Sequence, residues 1–293
     1  MTMAFAFFQR IVAPPPLWLA FGAILSIACA STGLAAIASQ SPWVATSNSK
    51  VRLVSGTVDL DGKKTLLAGV QLRMDEGWKT YWTNPGDSGV PPSFDWSGSK
   101  NLKHAELLYP APHRFVDANG TAIGYDDEVV FPVKLTPERE GEPIELKLAF
   151  DYGLCKNLCI PNDVSLALEL AADAASHRGD GAVLESFLAR VPKASAPDKL
   201  PRVESVTASL DGPKPEILVD ALFAPDATGT DLFIEAGETF VPVPMPLSPL
   251  AGGKQRFAVT FGTPQEAAAV KGKSLTLTVV SDMGSSETAW KAN

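Results

Sequence analysis

Cys155 and Cys159 are the residues whose type and spacing could do chemistry together, in the run Cys155-Lys156-Asn157-Leu158-Cys159. Thiolates attack disulfides and are also soft metal ligands, so the pair suits thiol–disulfide exchange, a structural cross-link or a metal site. In a straight strand residues four apart stand ~13 Å from one another at ~3.3 Å per residue. A disulfide needs Cα atoms roughly 4.4–6.8 Å apart, so the pair closes only where the strand breaks into a turn. Asn157 suits such a turn, and Pro161 limits the ladder that can resume after it. As a staple the bond would do little, because closing a loop of about five residues removes only ~2 kcal/mol of denatured-state entropy. A short loop at an exposed strand end is the kind of disulfide that is readily reduced and re-formed. Lys156 favours a thiolate nearby while Asp151 and Asp163 oppose it. The residues alone leave exchange and staple both open. A copper or zinc site would need His104, His113 or His177 beside the thiolates, and no two of these histidines lie at ligand spacing.

The elements that must position the pair read as β. Val51 to Leu60 and Leu66 to Met74 flank Asp61-Gly62, a hairpin-turn signal. Ile144, Leu146, Leu148, Phe150 and Tyr152 alternate with polar residues ahead of the cysteines, and Val164, Leu166, Leu168 and Leu170 answer them on the far side. Val129, Phe131, Val133 and Leu135 alternate likewise, with Pro132 predicting an edge position or a bulge. Strands at this spacing, with Gly and Pro turns, predict an antiparallel sandwich over residues 45–172. Residues 173–202 shift toward Ala, Ser, Asp, Lys and Pro. Within them Leu184, Phe187, Leu188 and Val191 follow helical spacing behind Asp180, so a linker with one short helix is expected. Residues 203–293 return to β through Ile217 to Phe223, Leu232 to Glu235, Phe257 to Phe261 and Leu275 to Val280. This second sandwich has neither Cys nor His, which points to a structural or docking role. Trp78, Tyr81, Trp82 and Trp96 form an aromatic cluster that reads either as core or, for Trp78, Tyr81 and Trp82, as a partner-docking surface around the cysteines.

Composition bounds the rest. The 293 residues suffice for two modest domains, and 45% hydrophobic with 20% charged residues is ordinary for a globular chain. A formal charge of −8 leaves no basic footprint, so nucleic acid is not an expected partner. Arg10 precedes an apolar run from Leu17 to Ala36 that ends in Ala36-Ile37-Ala38, a small-x-small pattern. Residues 1–38 are therefore expected to be a signal peptide cleaved before Ser39, with an uncleaved anchor as the alternative. Cleavage removes Cys29 and leaves an even pair in an exported protein, a setting that allows a disulfide.

Three stretches together resemble a known family. They are Gly77-Trp78-Lys79-Thr80-Tyr81-Trp82 with Asn84 to Pro92, Ile123-Gly124-Tyr125 ahead of Val129, and Asp151-Tyr152-Gly153-Leu154-Cys155 through Cys159-Ile160-Pro161. They resemble the N-terminal periplasmic domain of the thiol:disulfide interchange protein DsbD, and more closely its counterpart in ScsB-type proteins, associated with copper tolerance. The resemblance spans about Val51 to Leu170 and is looser beyond. It implies an all-β protein of two immunoglobulin-like sandwiches, with Cys155 and Cys159 as the redox pair of a protein-disulfide reductase module in the periplasm. It implies Cys159 as the partner-bonding thiol, Cys155 as the resolving one, and Tyr125 in Ala122 to Asp127 as an aromatic shield over the pair. Implied partners are a membrane-embedded thiol electron donor, expected on a separate polypeptide, and thioredoxin-like acceptors in the periplasm. No organic or metal cofactor is required, although copper handling by the two thiolates is a rival reading.

Overall fold

The computed structural model describes Thr2 and residues 39–293, apart from 61, 88, 118, 119, 172–178 and 180. Apart from Thr2, the expected signal peptide lies outside the described residues, as do Cys29, His177 and Asp180. The described residues from 39 onward fall in one compact unit. Among the described residues no helix is long and apolar enough to cross a membrane.

The first sandwich is built from eleven strands: β1 (Val44–Thr46), β2 (Ser49–Leu60), β3 (Lys63–Met74), β4 (Lys79–Gly86), β5 (Ser93–Asp95), β6 (Leu102–Leu107), β7 (His113–Asp117), β8 (Gly120–Asp126), β9 (Glu128–Pro137), β10 (Ile144–Cys155) and β11 (Cys159–Leu170). One sheet runs β1-β2-β3-β9-β6, and the other runs β11-β10-β4-β8-β7 with β5 added against β10. All these pairings are antiparallel. The alternating apolar residues of β10 and β11 face inward, with Leu146, Leu148, Phe150, Leu166 and Leu168 buried between the sheets. Phe150 stacks on Phe94 at 4.7 Å and on Tyr152 at 4.6 Å, so an aromatic column underlies the cysteine end of the hairpin.

Pro132 is not on an edge strand, because β9 lies between β3 and β6. In a strand a residue's N and O point to the same side, and the Pro132 carbonyl accepts from Leu108 N at 2.8 Å. Its ring nitrogen therefore faces the side on which β6 has already ended at Leu107, and no ladder bond to β3 is lost. The expected short helix is α1 (Gly181–Leu188). Rather than bridging solvent, it docks on the first sandwich with Leu184 and Phe187 in that core. Gly69 makes room for it, since a Cβ there would sit 2.6 Å from Leu184 Cδ2.

The second sandwich contains β12 (Lys193–Ala194), β13 (Arg202–Ser209), β14 (Glu216–Leu222), β15 (Asp231–Glu235), β16 (Met245–Pro249), β17 (Lys254–Thr260), β18 (Ser274–Ser281) and β19 (Gly284–Lys291), with a helix α2 (Pro264–Val270). Its sheets run β12-β19-β18-β15 and β13-β14-β17-β16 around a separate core that includes Ile217, Val219, Phe257, Leu275 and Leu277. The fold is thus all-β, with two short helices among the described residues.

Phe233 and Val243 of the second sandwich complete the core of the first. Beside this seam a cleft is lined by Trp82, Tyr109, Glu235 and Glu287, among others. Burial pushes the Tyr109 phenol up to about 12, with the nearby Glu235 charge adding to it. Burial, then Glu235, also raises the Glu287 carboxyl above its ordinary value. A carboxyl raised in the folded state costs stability once ionised. The cost is absent below the unfolded value, ~4.3, and is complete above the folded one. Glu287→Gln is therefore expected to raise the urea midpoint at pH 7, with the gain shrinking toward zero near pH 4, as urea titrations at the two pH values will measure.

Candidate functional site

The β10–β11 hairpin pairs in unbroken register from Ile144↔Leu170 to Cys155↔Cys159, so the two cysteines are its last rung. The intervening Lys156, Asn157 and Leu158 form the turn that the spacing required, with Lys156 N donating to Leu158 O at 3.3 Å. The Cα atoms of Cys155 and Cys159 are 4.1 Å apart and their sulfurs are bonded. Their environments differ. Cys155 is 4% exposed, whereas Cys159, one step past the turn, is exposed.

The cover over Cys155 comes from β4 and β7. Cys155 stands opposite Lys79 in register, and alternation then puts Lys79 and Tyr81 on the cysteine face of the sheet. The Tyr81 hydroxyl donates to Cys155 Sγ at 2.5 Å and lies 3.4 Å from Cys159 Sγ. Tyr81, Ala122 and Cys155 form a small buried cluster of their own, with Phe115 packed against it. Glycines shape the slot for the tyrosine ring: a Cβ on Gly89 would meet Tyr81 Cε1 at 2.4 Å, and one on Gly153 would meet Cε2 at 3.3 Å. The loop after Asn84 therefore flanks the pair through Gly89. It is held by Gly86, whose φ of +86° suits glycine, and by Asp87, whose carboxylate accepts from Thr121 N at 2.8 Å.

Two lysines flank the pair in the chain fold, one opposite Cys155 in register and one in the turn. The Lys79 ammonium lies over the Phe115 ring, 5.2 Å from its centroid. Lys156 donates to the Glu76 carbonyl at 2.9 Å, which fixes the turn against the β3–β4 connection. Under the hairpin the Tyr152 hydroxyl lies 2.8 Å from Ser49 Oγ and 3.0 Å from Thr46 Oγ1, and burial raises its pKa.

Of the other residues singled out in the sequence, the structure brings only some to the cysteines. Tyr125, expected as the shield, pairs with Thr80 and so points to the opposite face from Tyr81. Its hydroxyl donates to Pro110 O at 2.8 Å and its ring packs edge-on to Phe131 in the sandwich core. The residues lying over Cys155 are instead Tyr81 and Phe115. Trp82 is buried at the seam, 5.9 Å edge-on from Phe233, and Trp78 is half-buried against the first core. Neither Tyr81 nor Trp82 offers the free docking surface considered for them. His104 and His113 are exposed on β6 and β7, and among the described residues no group of three or more metal-ligating side chains gathers. Phe115 was missed because His113-Arg114-Phe115-Val116 lacks a clean alternation, whereas Tyr81 could have been placed from the alternation of Lys79, Tyr81 against Thr80, Trp82.

Comparisons with known proteins agree with this geometry. Residues 55–171 match the family model described as thiol:disulfide interchange protein DsbD, N-terminal. No curated protein sequence matches the chain significantly. The crystal structure of the N-terminal periplasmic domain of ScsB from Proteus mirabilis superposes with a TM-score of 0.65 at 20% identity, covering 87% of this chain and 98% of that one. At that identity the likeness speaks for the fold, and its coverage takes in both sandwiches.

When an external thiolate attacks Cys159 Sγ, Cys155 is the leaving group, and a donor held at its sulfur eases departure. Tyr81→Phe is therefore expected to slow reduction of the disulfide by dithiothreitol about tenfold, the kinetic equivalent of ~1.4 kcal/mol for a hydrogen bond to a charged group. Stopped-flow reduction of the oxidised protein checks this, with circular dichroism expected to be unchanged.

Proposed function

We propose, taking the match of residues 55–171 to the DsbD N-terminal family as the premise, that this chain relays electrons by thiol–disulfide exchange through Cys155 and Cys159. The observation that carries the reading is the asymmetry of the pair: Cys159 is open to attack, while Cys155 is sheltered under Tyr81 with a hydroxyl aimed at its sulfur. One sulfur meets partners and the other resolves.

In the reduced protein the Cys159 thiolate attacks a partner disulfide. A Cys159–partner bond forms, the partner's own S–S bond breaks, and the released partner thiolate takes a proton. Cys155, its sulfur facing the Tyr81 hydroxyl, then attacks Cys159 Sγ as a thiolate. The Cys155–Cys159 bond forms and the partner leaves with both sulfurs reduced, two electrons having passed to it. Recharging runs in reverse: a donor thiolate attacks Cys159 and Cys155 leaves as a thiolate, then the donor's second thiolate attacks its own sulfur in the mixed disulfide, Cys159 leaves, and the donor ends as a disulfide.

The proposed donor is a membrane-embedded dithiol protein and the proposed acceptors are thioredoxin-like proteins, with the periplasm as the compartment. The structurally similar ScsB domain is a periplasmic one, which supports that location, as does the leader expected in residues 1–38. Exposed Leu158 between the cysteines and exposed Val90, whose carbonyl lies against Gly153, supply an apolar rim for such partners.

The test is covalent. Cys155→Ser should accumulate mixed disulfides through Cys159 that dithiothreitol releases, and Cys159→Ser should accumulate few or none. The wild-type pair should show a reduction potential between about −270 and −120 mV in glutathione or dithiothreitol buffers. A potential below about −300 mV, with no trapped partner, would identify a structural staple instead.

A further inference from the structure

We infer that β15 of the second sandwich is the positioning element of the redox pair, acting through Asn84 and Arg114. This rests on the exchange reading above and assigns the second sandwich a part in it.

β4 pairs with β8 at Lys79, Thr80 and Tyr81, loses register, and rejoins it only at Gly86. The residues in that gap are bound by β15. Trp82 lies edge-on to Phe233 at 5.9 Å, and the Thr83 hydroxyl donates to the Glu235 carboxylate. Asn84 Nδ2 donates to Ile234 O at 2.8 Å, while its Oδ1 accepts from Gly86 N at 3.2 Å. Tyr81 is therefore the last residue of β4 held by its own sheet before the strand passes to the second sandwich.

β7 repeats the arrangement. Arg114 Nε donates to Asp231 Oδ2 at 2.8 Å and Nη2 to Asp231 Oδ1 at 2.6 Å, a two-pronged pair. Nη2 also donates to Pro244 O at 2.8 Å, and the guanidinium sits 5.7 Å from the Phe233 ring centroid. With side chains only 13% and 17% exposed, this pair is largely shielded from solvent. The next residue, Phe115, points to the other face and packs on the Tyr81, Ala122 and Cys155 cluster. Both side chains that cover Cys155 are thus direct sequence neighbours of residues fastened to β15. In a strand, neighbouring side chains share one backbone and point to opposite faces, so a shift at 82–84 or 114 is felt at 81 or 115.

Asn84 and Arg114 touch neither sulfur in this arrangement; Asn84 acts on Tyr81 along β4, and Arg114 acts on Tyr81 through Phe115, which packs on the Tyr81, Ala122 and Cys155 cluster. The experiment uses the full chain and two separate variants, Asn84→Ala and Asp231→Asn, so that poor folding of one leaves the other readable. The measured quantity is the second-order rate constant for reduction by dithiothreitol, in the wild-type and in the Tyr81→Phe background. Each variant is expected to slow reduction about fivefold in the wild-type background, within the coupling range of neighbouring residues, and to change it little once the Tyr81 hydroxyl is gone. An unchanged rate in both variants overturns the inference, as does an equal slowing in both backgrounds, since a merely structural role would give one or the other. A staple-like potential in the wild type would sink the exchange reading alone, because the rate comparison still reports whether β15 positions Tyr81. An exchange-range potential with unaltered rates would sink the positioning alone.

Discussion

The ladder between β10 and β11 is the constraint on which the site depends. Alternate pairs from Ile144↔Leu170 to Phe150↔Val164 are buried on both strands, because Leu146, Leu148, Phe150, Val164, Leu166 and Leu168 all need the inner face. Sliding one strand by a single residue would turn that whole set toward solvent. The register that the core enforces is the same register that sets Cys155 opposite Cys159 at the open end. The two sulfurs are therefore brought together by hydrophobic burial along the full hairpin, and the bond between them is formed on a scaffold already in place.

The second sheet face adds asymmetry to this symmetric rung. A hairpin end alone would leave both sulfurs equally open. β4 enters beside Cys155, and its alternation sends Tyr81 over the sulfur while Thr80 turns inward, where its hydroxyl donates to Gly153 O at 2.9 Å. Gly89 and Gly153 give up their side chains to seat the tyrosine ring. The loop that leaves β4 at Gly86 carries Gly89, Pro91 and Pro92 because it must turn tightly beside that ring. Chemical differentiation of two identical residues is thus achieved by strand order: β10 lies between β11 and β4, and only one cysteine meets β4.

Much of this was legible from residue spacing. The Asp61-Gly62 turn signal located β2 and β3, period-two runs located β9, β10 and β11, and the short interval between the cysteines required the turn that they close. What escaped was long-range. Nothing local to Tyr125 reveals that its partner across the sheet is Thr80, which sends its ring into the core; only the β4–β8 register decides that. Pro132 looked like an edge marker because sequence cannot tell which side of a strand its missing N–H faces, nor that β6 stops one residue short of needing it. The helix at Gly181–Leu188 was readable as a helix. Its destination was not, because the space above Gly69 that receives Leu184 is created by residues more than a hundred positions earlier. Trp82 had the composition of a docking residue, and its burial depends on Phe233 from a strand in the other sandwich.

Stability and redox chemistry need not compete in this arrangement. Closing so short a loop contributes only ~2 kcal/mol through chain entropy, and burying a single large aromatic such as Phe150 is worth as much or more. Twelve residues of β10 pair with β11 through backbone bonds that do not involve the sulfurs, and Lys156 anchors the turn on the Glu76 carbonyl. Breaking the bond thus releases two thiols that the fold keeps within reach of one another. A disulfide joining distant strands would hold more stability and would be correspondingly hard to surrender to a partner. The position of this pair, at the end of a ladder that does not depend on it, is what the proposed exchange requires: the bond can open without unfolding the domain that carries it.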